Sequence, residues 1–334
     1  MSFNVRGSFH DARKKNAWRY RADLNVTTIE RYAPDVIGLQ EAQRGNLSAY
    51  RKRLPRYAHI RGPGYGNGIP RDFNTILFDP ERLKLLDSGG FWLSETPNEY
   101  SRSWETRVAR SATWALFGVL GTDLSFLHLN THLDHVSALA RQEGSKLVVS
   151  KIVQISGRTD VDPPAIVTGD FNSRPGNKAH KTFTESGFVD TYLAAGNEEG
   201  ANTFHAFRGA DYRDAHPARG ARRIDWILLK DPQELLRVKS HRIIHDADES
   251  SGLYPSDHYP ILAEFGFWVS GYRFQVCCES RVGTAGYVPK KRKEPRSWDS
   301  FRTDRMWSST ALSNQLTDKG KTSSASSGVS TKKS

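Results

Sequence analysis

Short apolar runs recur along the first 265 residues of the chain, and they constrain its fold more than any other feature. Each run is bounded by turn residues and has the length and composition typical of a β-strand. The predicted strands are Val36–Gln40, Thr75–Phe78, Phe91–Leu93, Ala112–Leu120, Leu124–Leu129, Ala165–Thr168, Ile224–Leu229 and Ile261–Phe265.

Two segments between these strands have helical spacing instead. The first is closed by Pro34, and its apolar positions are Trp18, Ala22, Val26, Ile29 and Ala33. The second precedes the breaker 162–164, and its positions are Ala140, Gly144, Leu147, Ile152 and Ile155. Many strands with few helices predict an α/β fold in which two packed sheets are flanked by helices.

The net charge of +11 lies mostly in the last fifth of the chain. Residues 266–334 hold thirteen Lys or Arg and five Asp or Glu, a net of +8, which leaves a net of +3 for residues 1–265. The tail is rich in Ser, Thr and Lys, a composition that does not repay its ordering entropy. We therefore predict one folded domain over 1–265 and a basic, mostly disordered tail over 266–334.

Targeting and redox signals are sparse. Both cysteines, Cys277 and Cys278, lie in the tail, which excludes a disulfide framework. No run approaches the roughly 18 apolar residues of a membrane span, and the N-terminus lacks the apolar core of a signal peptide. We expect an intracellular, cytoplasmic monomer. The run Pro289–Lys293 resembles a nuclear-import signal that would act in a eukaryote, and the alternatives are a solvated charge run or a weak RNA anchor.

Polar residues stand where the predicted strands end. Side chains from distant parts of a chain converge at such strand ends, and oxygen-rich clusters suit magnesium or manganese better than zinc. The residues concerned are Glu41, His132, Asp134, Asp170, Asn172, Asp225, Asp257 and His258.

Most of these residues also have an ordinary structural interpretation. A lone Glu41 is typical of a solvated carboxylate or helix cap, the segment 170–176 is typical of a turn, and a lone histidine is usually half-buried. Asp225 is different, because an acid between Ile224 and Trp226 is costly to bury without a partner.

Taken in order, the motifs resemble the endonuclease/exonuclease/phosphatase superfamily, the DNase I-like metal-dependent phosphohydrolases. The likeness covers about residues 1–265, and the motifs are Ser2–Arg6, Gly38–Glu41, Asn130–Asp134, Gly169–Asn172, Arg223–Trp226 and Ser256–His258. The resemblance implies a DNase I-like four-layer α/β sandwich, with two packed, mainly antiparallel sheets flanked by helices. It also implies a Mg²⁺ or Mn²⁺ cofactor.

The resemblance also implies a role for each residue around the metal and the water. Glu41 is the expected principal metal ligand, with Asn4 close by, and Asp257 is expected to help with the metal or the water. Asp170 is expected to align or deprotonate the attacking water, and Asn172 to hold that water or a phosphate oxygen.

Further expected roles concern the phosphate. His132 is expected to contact it, while His258 acts as general base or transition-state stabiliser with Asp225 orienting its imidazole.

The segments 89–97 and 110–115 resemble a mainly microbial subgroup near the deadenylase-type exonucleases. There Arg110 is expected to face the phosphate, with a surface arginine as the alternative, and Asn74 and Asp134 are further phosphate-binding candidates. The subgroup usually has Gly-Glu where this chain has Arg71 and Asp72.

The resemblance predicts a phosphoester hydrolase, and its substrate has three alternatives. The first is a phosphodiesterase acting on nucleic acid, similar to 3'–5' exoribonucleases, with Tyr65, Trp104 and Tyr212 as base-stacking candidates or as ordinary packing residues. The near-neutral body argues against it, because polynucleotide binding draws on several phosphate contacts. The second is a phosphatase or phosphodiesterase for a small metabolite, sugar or lipid headgroup, and the third is a non-catalytic scaffold.

Overall fold

A computed structural model of the chain describes residues 1–11, 14–65, 71–159, 162–212 and 222–267. Its strands are β1 (Ser2–Asn4), β2 (Val36–Ala42), β3 (Ala58–Ile60), β4 (Gly64–Tyr65), β5 (Asp72–Phe78), β6 (Leu83–Trp92), β7 (Ser111–Val119), β8 (Ser125–His132), β9 (Ala165–Asp170), β10 (Val189–Asp190), β11 (Asp225–Lys230), β12 (Leu236–Ile243) and β13 (Ile261–Phe267). Its helices are α1 (Trp18–Tyr32), α2 (Arg44–Arg53), α3 (Ala138–Ser156), α4 (Lys178–Glu185) and α5 (Thr191–Ala194). The predicted tail lies outside the described residues from position 268 onward, as do both cysteines and the basic run.

The first sheet has the strand order β12-β13-β1-β2-β5-β3, with β4 also paired to β5. Its neighbours are antiparallel except for β1 and β2, which α1 connects in parallel. The short strand β1 lies in the interior of this sheet, because Ser2 pairs with Ile261 on one side and with Gly38 on the other.

The second sheet has the order β10-β11-β9-β8-β7-β6. It too is antiparallel except for one pair, β8 and β9, which the helix α3 connects. A parallel connection needs a crossover of this kind, since the chain must return to the starting end of the sheet.

Three apolar clusters separate four layers of structure. One cluster joins α1 and α2 to the outer face of the first sheet, and it includes Ile29 of α1 and Leu39 of β2. Another joins α3 and α4 to the outer face of the second sheet, and a third lies between the sheets around Phe117 and Ile227. The prediction of a DNase I-like two-sheet sandwich flanked by helices is confirmed.

The space between the sheets also holds a buried polar network. Gln40 Nε2 donates to Asn130 Oδ1 at 2.7 Å, and Thr168 Oγ1 donates to the same oxygen at 3.2 Å. Asn130 Nδ2 in turn donates to the carbonyl of Leu39 at 2.8 Å. Buried polar groups satisfied in this way fix how the sheets face each other.

None of the helices in the described ranges combines the length and the apolar character that crossing a membrane requires.

Candidate active site

Strand alternation brings polar side chains from both sheets to one end of the sandwich. Successive side chains point to opposite faces of a strand, so Leu127 and Leu129 pack in the outer cluster while His132 shares the inner face with Asn130. Residues at the ends of β1, β2, β8 and β9, at the start of β11 and just before β13 meet there. They are Asn4, Glu41, His132, Asp170, Asn172, Asp225 and His258.

Asn4 holds two carboxylates together. Its Nδ2 donates to Glu41 Oε1 at 3.2 Å and to Asp170 Oδ2 at 3.0 Å, while its Oδ1 accepts from the backbone N–H of Arg6 at 3.1 Å. The amide therefore orients the carboxylates in this structure, and its predicted role as a metal ligand stays a prediction.

Glu41 stands at an irregularity between β2 and β5 and adopts a left-handed backbone conformation with φ of 56°. Non-glycine residues in this region are uncommon and concentrate at functional sites. The Glu41 backbone N–H donates to Tyr65 Oη at 3.0 Å, which helps to hold this geometry.

The second carboxylate oxygen of Glu41 fits a metal site. Oε2 is buried and accepts no hydrogen bond from any residue in the described ranges, although His10 Nε2 lies 3.6 Å away. Burial alone would raise the pKa of Glu41, but the Arg6 and His10 cations beside it lower the pKa below its ordinary value. A buried, ionised oxygen without a donor is a coordination position suited to a hard divalent cation.

Asp257 lies near this position but has partners of its own. Its Oδ1 accepts from Ser256 Oγ at 3.3 Å, and its Oδ2 lies 3.6 Å from Arg6 Nε. The nearby Asp257 and Glu41 carboxylates outweigh the effect of burial and raise the pKa of Arg6. Asp257 is thus tied to the Glu41 region through Arg6.

Asp170 lies at the centre of the site. Its Oδ2 is 3.4 Å from His132 Nε2 and 3.7 Å from His258 Nε2, and its Oδ1 accepts from the backbone N–H of Asn172 at 2.9 Å. Burial and the neighbouring Asp225 carboxylate raise the pKa of Asp170 to about 7. A carboxyl group with this pKa can exchange a proton near neutral pH.

His258 and Asp225 form a buried pair. His258 Nδ1 lies 2.9 Å from Asp225 Oδ2 and 3.2 Å from Oδ1. Burial would lower the pKa of His258, but the Asp225 and Asp170 carboxylates raise it to about 10. This imidazolium is the partner that an acid buried in an apolar strand requires.

Asp170, Asp225 and His258 also offer ligand atoms within 4.8 Å of one another. Their hydrogen-bonding groups are already engaged with each other, with Asn4 and with Asn172. The unpartnered oxygen of Glu41 is therefore the better position for a cation.

His132 is held in a neutral state. Its Nδ1 lies 3.1 Å from Tyr65 Oη and its Nε2 lies 3.0 Å from Asn172 Nδ2. Burial and the charge of Arg110 lower the pKa of His132 well below its ordinary value. Asn172, like Glu41, has a left-handed backbone, with φ of 47°.

The remaining phosphate candidates differ in their surroundings. Arg110 is only 7% exposed, with Nη2 3.0 Å from His135 Nδ1 and its guanidinium above the ring of Tyr65, so the surface interpretation is wrong. Asn74 is buried, and its Nδ2 donates to the carbonyl of Ser111 at 2.6 Å. The phosphate contacts of both residues stay predictions.

Asp134 has a structural function in the loop before α3. It accepts hydrogen bonds from Thr106 Oγ1 at 2.6 Å and from the backbone N–H groups of Val136 at 2.8 Å and Ser137 at 2.6 Å. These donors lower the pKa of the Asp134 carboxyl, against the opposing effect of burial. A carboxylate satisfied in this way offers a phosphate no donor, and its predicted phosphate contact gains no support from this geometry.

Two residues beside the site make contacts that the sequence patterns did not predict. Tyr65 contacts both Glu41 and His132, and His10 lies beside Glu41 and 3.7 Å from Asp72 Oδ1. Neither belongs to an apolar run, so no strand pattern marks them. Of the two alternatives for Tyr65 and Tyr212, ordinary packing is confirmed and base stacking is not, because they are only 1% and 2% exposed. Trp104 is half-buried.

Residues 1–258 match the model of the Endonuclease/Exonuclease/phosphatase family. No curated protein matches the chain. Among solved structures, the mannosyl-6-phosphatase Bt3783 of Bacteroides thetaiotaomicron is 26% identical with a TM-score of 0.70, over 80% of this chain and 98% of that one.

Two other solved structures are similar. An endonuclease/exonuclease/phosphatase from Bacteroides vulgatus is 31% identical with a TM-score of 0.69, over 80% of this chain and 97% of that one. TDP2 of D. rerio, complexed with a single strand DNA product, is 20% identical with a TM-score of 0.60, over 79% of this chain and 97% of that one. The last likeness concerns the fold alone.

Proposed function

Because the chain belongs to the Endonuclease/Exonuclease/phosphatase family, whose members hydrolyse phosphoesters, we propose that it is a metal-dependent phosphatase for a small phosphorylated molecule. One observation carries the proposal of catalysis. Asp170, with its pKa raised to about 7, lies between the His258–Asp225 pair and an Asn4 amide that also binds the metal-ligand candidate Glu41.

Glu41 would hold the divalent cation. Asp257 is connected to this region by Arg6, whose Nε lies 3.6 Å from Asp257 Oδ2. When bound, such a cation neutralises phosphate charge and lowers the pKa of a coordinated water. We assign Mg²⁺ or Mn²⁺ because the ligand atoms offered here are carboxylate oxygens.

The protein residues supply the remaining chemistry. Asp170 accepts a proton from the water whose oxygen attacks phosphorus, and the bond from phosphorus to the ester oxygen breaks. The departing oxygen takes a proton from solvent and leaves as the alcohol, and Asp170 returns its own proton to solvent. The His258 imidazolium, held by Asp225, stabilises the negative charge that develops on the phosphoryl oxygens. His132 and Asn172 orient the phosphate beside Asp170, since His132 Nε2 lies 3.4 Å from Asp170 Oδ2 and the Asn172 backbone N–H donates to Asp170 Oδ1.

Three observations favour a small phosphate monoester over a polynucleotide. Tyr65 and Tyr212 are buried and cannot stack bases. Residues 1–265 carry a net charge of only +3, so they offer little excess positive charge for the several phosphate contacts of a polynucleotide. A solved phosphatase is 26% identical, whereas the structure with DNA is 20% identical.

A nucleic-acid phosphodiesterase similar to 3'–5' exoribonucleases is the second candidate. It is favoured by Trp104, which stays partly exposed and has a left-handed backbone with φ of 56°. Such a side chain offers one stacking surface.

A substrate panel with Mg²⁺ or Mn²⁺ distinguishes the candidates. It comprises mannose 6-phosphate, p-nitrophenyl phosphate, bis-p-nitrophenyl phosphate, duplex DNA and single-stranded RNA with a poly(A) end. We expect release of inorganic phosphate from the monoesters and little shortening of RNA. Stepwise shortening of RNA without phosphate release from monoesters would overturn the phosphatase proposal in favour of the exonuclease.

A further inference from the structure

A cavity of about 380 Å³ opens beside the candidate active site. Its volume lies in the range of about 300–1,000 Å³ that small-molecule sites occupy. It is lined by Asn172, Ser173, Arg174, Asn177, Arg222 and Ile224.

Asn172 and Phe204 connect the lining of the cavity to the candidate catalytic residues. Asn172 lines it and also contacts His132, with Nδ2 3.0 Å from Nε2. The centroid of the Phe204 ring lies 4.9 Å from the centroid of the His258 ring and 4.7 Å from Arg222 Cζ. One aromatic ring, that of Phe204, therefore separates the Arg222 guanidinium from the His258 imidazole.

The charge of the lining selects an anion. Among the lining residues in the described ranges, Arg174 and Arg222 are cationic and none is acidic. Arg222 Nη1 donates to Tyr212 Oη at 3.2 Å, but within the described ranges no carboxylate lies at ion-pairing distance from it. Its neighbour Arg223 is instead fully engaged, with ion pairs to Asp190 and Glu199. Guanidinium groups in this setting favour phosphate or carboxylate ligands.

The neutral lining residues suit the same ligand. Ser173 is buried and Asn177 makes no capping hydrogen bond to the first turn of α4. Hydroxyl and amide groups of this kind complete the donor set around an anion.

We propose that this cavity binds a second anionic group of the substrate while the reacting phosphate lies at Asp170. The inference rests on the proposed phosphatase function and narrows its substrate class. The substrate is a small ester with two anionic groups, a phosphoryl group that is hydrolysed and a second phosphoryl or carboxylate group that is bound by Arg174 and Arg222.

The test compares esters that differ in the second group. Glucose 1,6-bisphosphate carries a second phosphoryl group, 6-phosphogluconate carries a carboxylate, and glucose 6-phosphate carries neither. We expect kcat/KM for at least one doubly anionic ester to exceed that for glucose 6-phosphate by about tenfold or more, as expected for a charge-assisted contact. Comparing glucose 1,6-bisphosphate with 6-phosphogluconate shows whether phosphoryl or carboxylate is the preferred second group. Equal kcat/KM for all three esters would overturn the inference.

Variants connect the preference to the cavity. The relevant quantity is kcat/KM for the preferred doubly anionic ester divided by kcat/KM for glucose 6-phosphate. R174Q and R222Q should each move this ratio towards one, mainly through KM, while R222K should retain most of the preference. R237Q is the matched control, since Arg237 is an exposed arginine on β12, and it should keep the wild-type ratio. A wild-type ratio in folded R222Q and R174Q would exclude the cavity.

Calorimetry separates failure of the inference from failure of the proposed function. The full chain carrying D170N should bind glucose 1,6-bisphosphate or 6-phosphogluconate more tightly than glucose 6-phosphate. If no monoester is hydrolysed, the phosphatase proposal fails, and equal binding of all three esters overturns the cavity assignment independently.

Discussion

His258 Nδ1 lies 2.9 Å from Oδ2 of Asp225, and both groups are buried at the end of the two-sheet sandwich. The pair turns an acid that would be costly inside an apolar strand into the group that keeps an imidazole charged and oriented. His258 Nε2 then lies 3.7 Å from Asp170, so the orientation of the ring is transmitted to the centre of the site.

Removing Asp170 or His258 should nearly abolish hydrolysis. We expect D170A and H258A each to lower kcat by about 10²–10⁴-fold, the usual contribution of general acid–base groups. Initial rates with p-nitrophenyl phosphate measure this, and circular dichroism checks the fold. Normal turnover in both purified variants would refute the site assignment.

Neutralising Asp225 should shift the titration of His258. The raised pKa of about 10 keeps this imidazole protonated at neutral pH, and the Asp225 carboxylate is the first cause that raises it. In D225N the pKa of His258 should fall. The imidazolium, and with it the activity, should then be lost at a lower pH than in the wild type. NMR titration and the pH–rate profile measure the shift, and an unchanged profile would contradict the assigned pairing.

Glu41 should determine metal affinity. We expect E41Q to weaken Mg²⁺ or Mn²⁺ binding by about tenfold or more, because its unpartnered carboxylate oxygen is the proposed ligand. Calorimetric titration with the metal alone provides a readout independent of turnover. E30Q, an exposed glutamate on α1, serves as the control and should bind as wild type does.

Gly38 should be intolerant of a side chain. A Cβ there would overlap Thr168 Oγ1 and Asn130 Oδ1 in the polar network between the sheets. Overpacking of this kind costs about 1–3 kcal/mol, so G38A should lower the free energy of unfolding in urea by that amount. At Gly144 in α3 the added Cβ would meet Leu133 Cδ2 at 3.5 Å, an ordinary contact, and G144A should be neutral or stabilising.

Asp190 should make the protein sensitive to acid. Burial would raise its pKa, but hydrogen bonds from His180 and Arg223 lower it to about 2. The stabilisation is therefore complete above the unfolded-state pKa of about 4 and is lost as pH falls towards 2, with a magnitude of about 2 kcal/mol. Urea unfolding of wild type and D190N between pH 6 and pH 2 should show a smaller pH dependence in D190N.

The elements that the sequence predicts are those that bury continuous apolar surface. All eight predicted strands and both predicted helices are present, since each of them packs in one of the three clusters. The edge strand β12 was missed because Arg237, Lys239 and Arg242 dominate its composition, and β6 begins earlier than predicted because its outer residues are exposed. The helix α2 was missed because it has few apolar residues to set a period.

The candidate site was predictable where a residue ends an apolar strand. Asp170 and Glu41 lie at the ends of such strands, so their convergence follows from the sheet itself. Tyr65 and His10 belong to a two-residue strand and a loop, and only tertiary packing brings them to Glu41. The same packing buries Tyr65, as its packing alternative predicted and its base-stacking alternative did not.

The interior position of β1 ties the site to the completion of the domain. Ser2 is hydrogen-bonded into a ladder with Ile261, and Asn4, two residues later, joins the carboxylates of two different sheets. During synthesis on the ribosome, β1 has a neighbour on only one side until β13 has been made. Such a long-range pairing is slow to form, so a nascent or truncated chain can complete this site only when β13 has emerged.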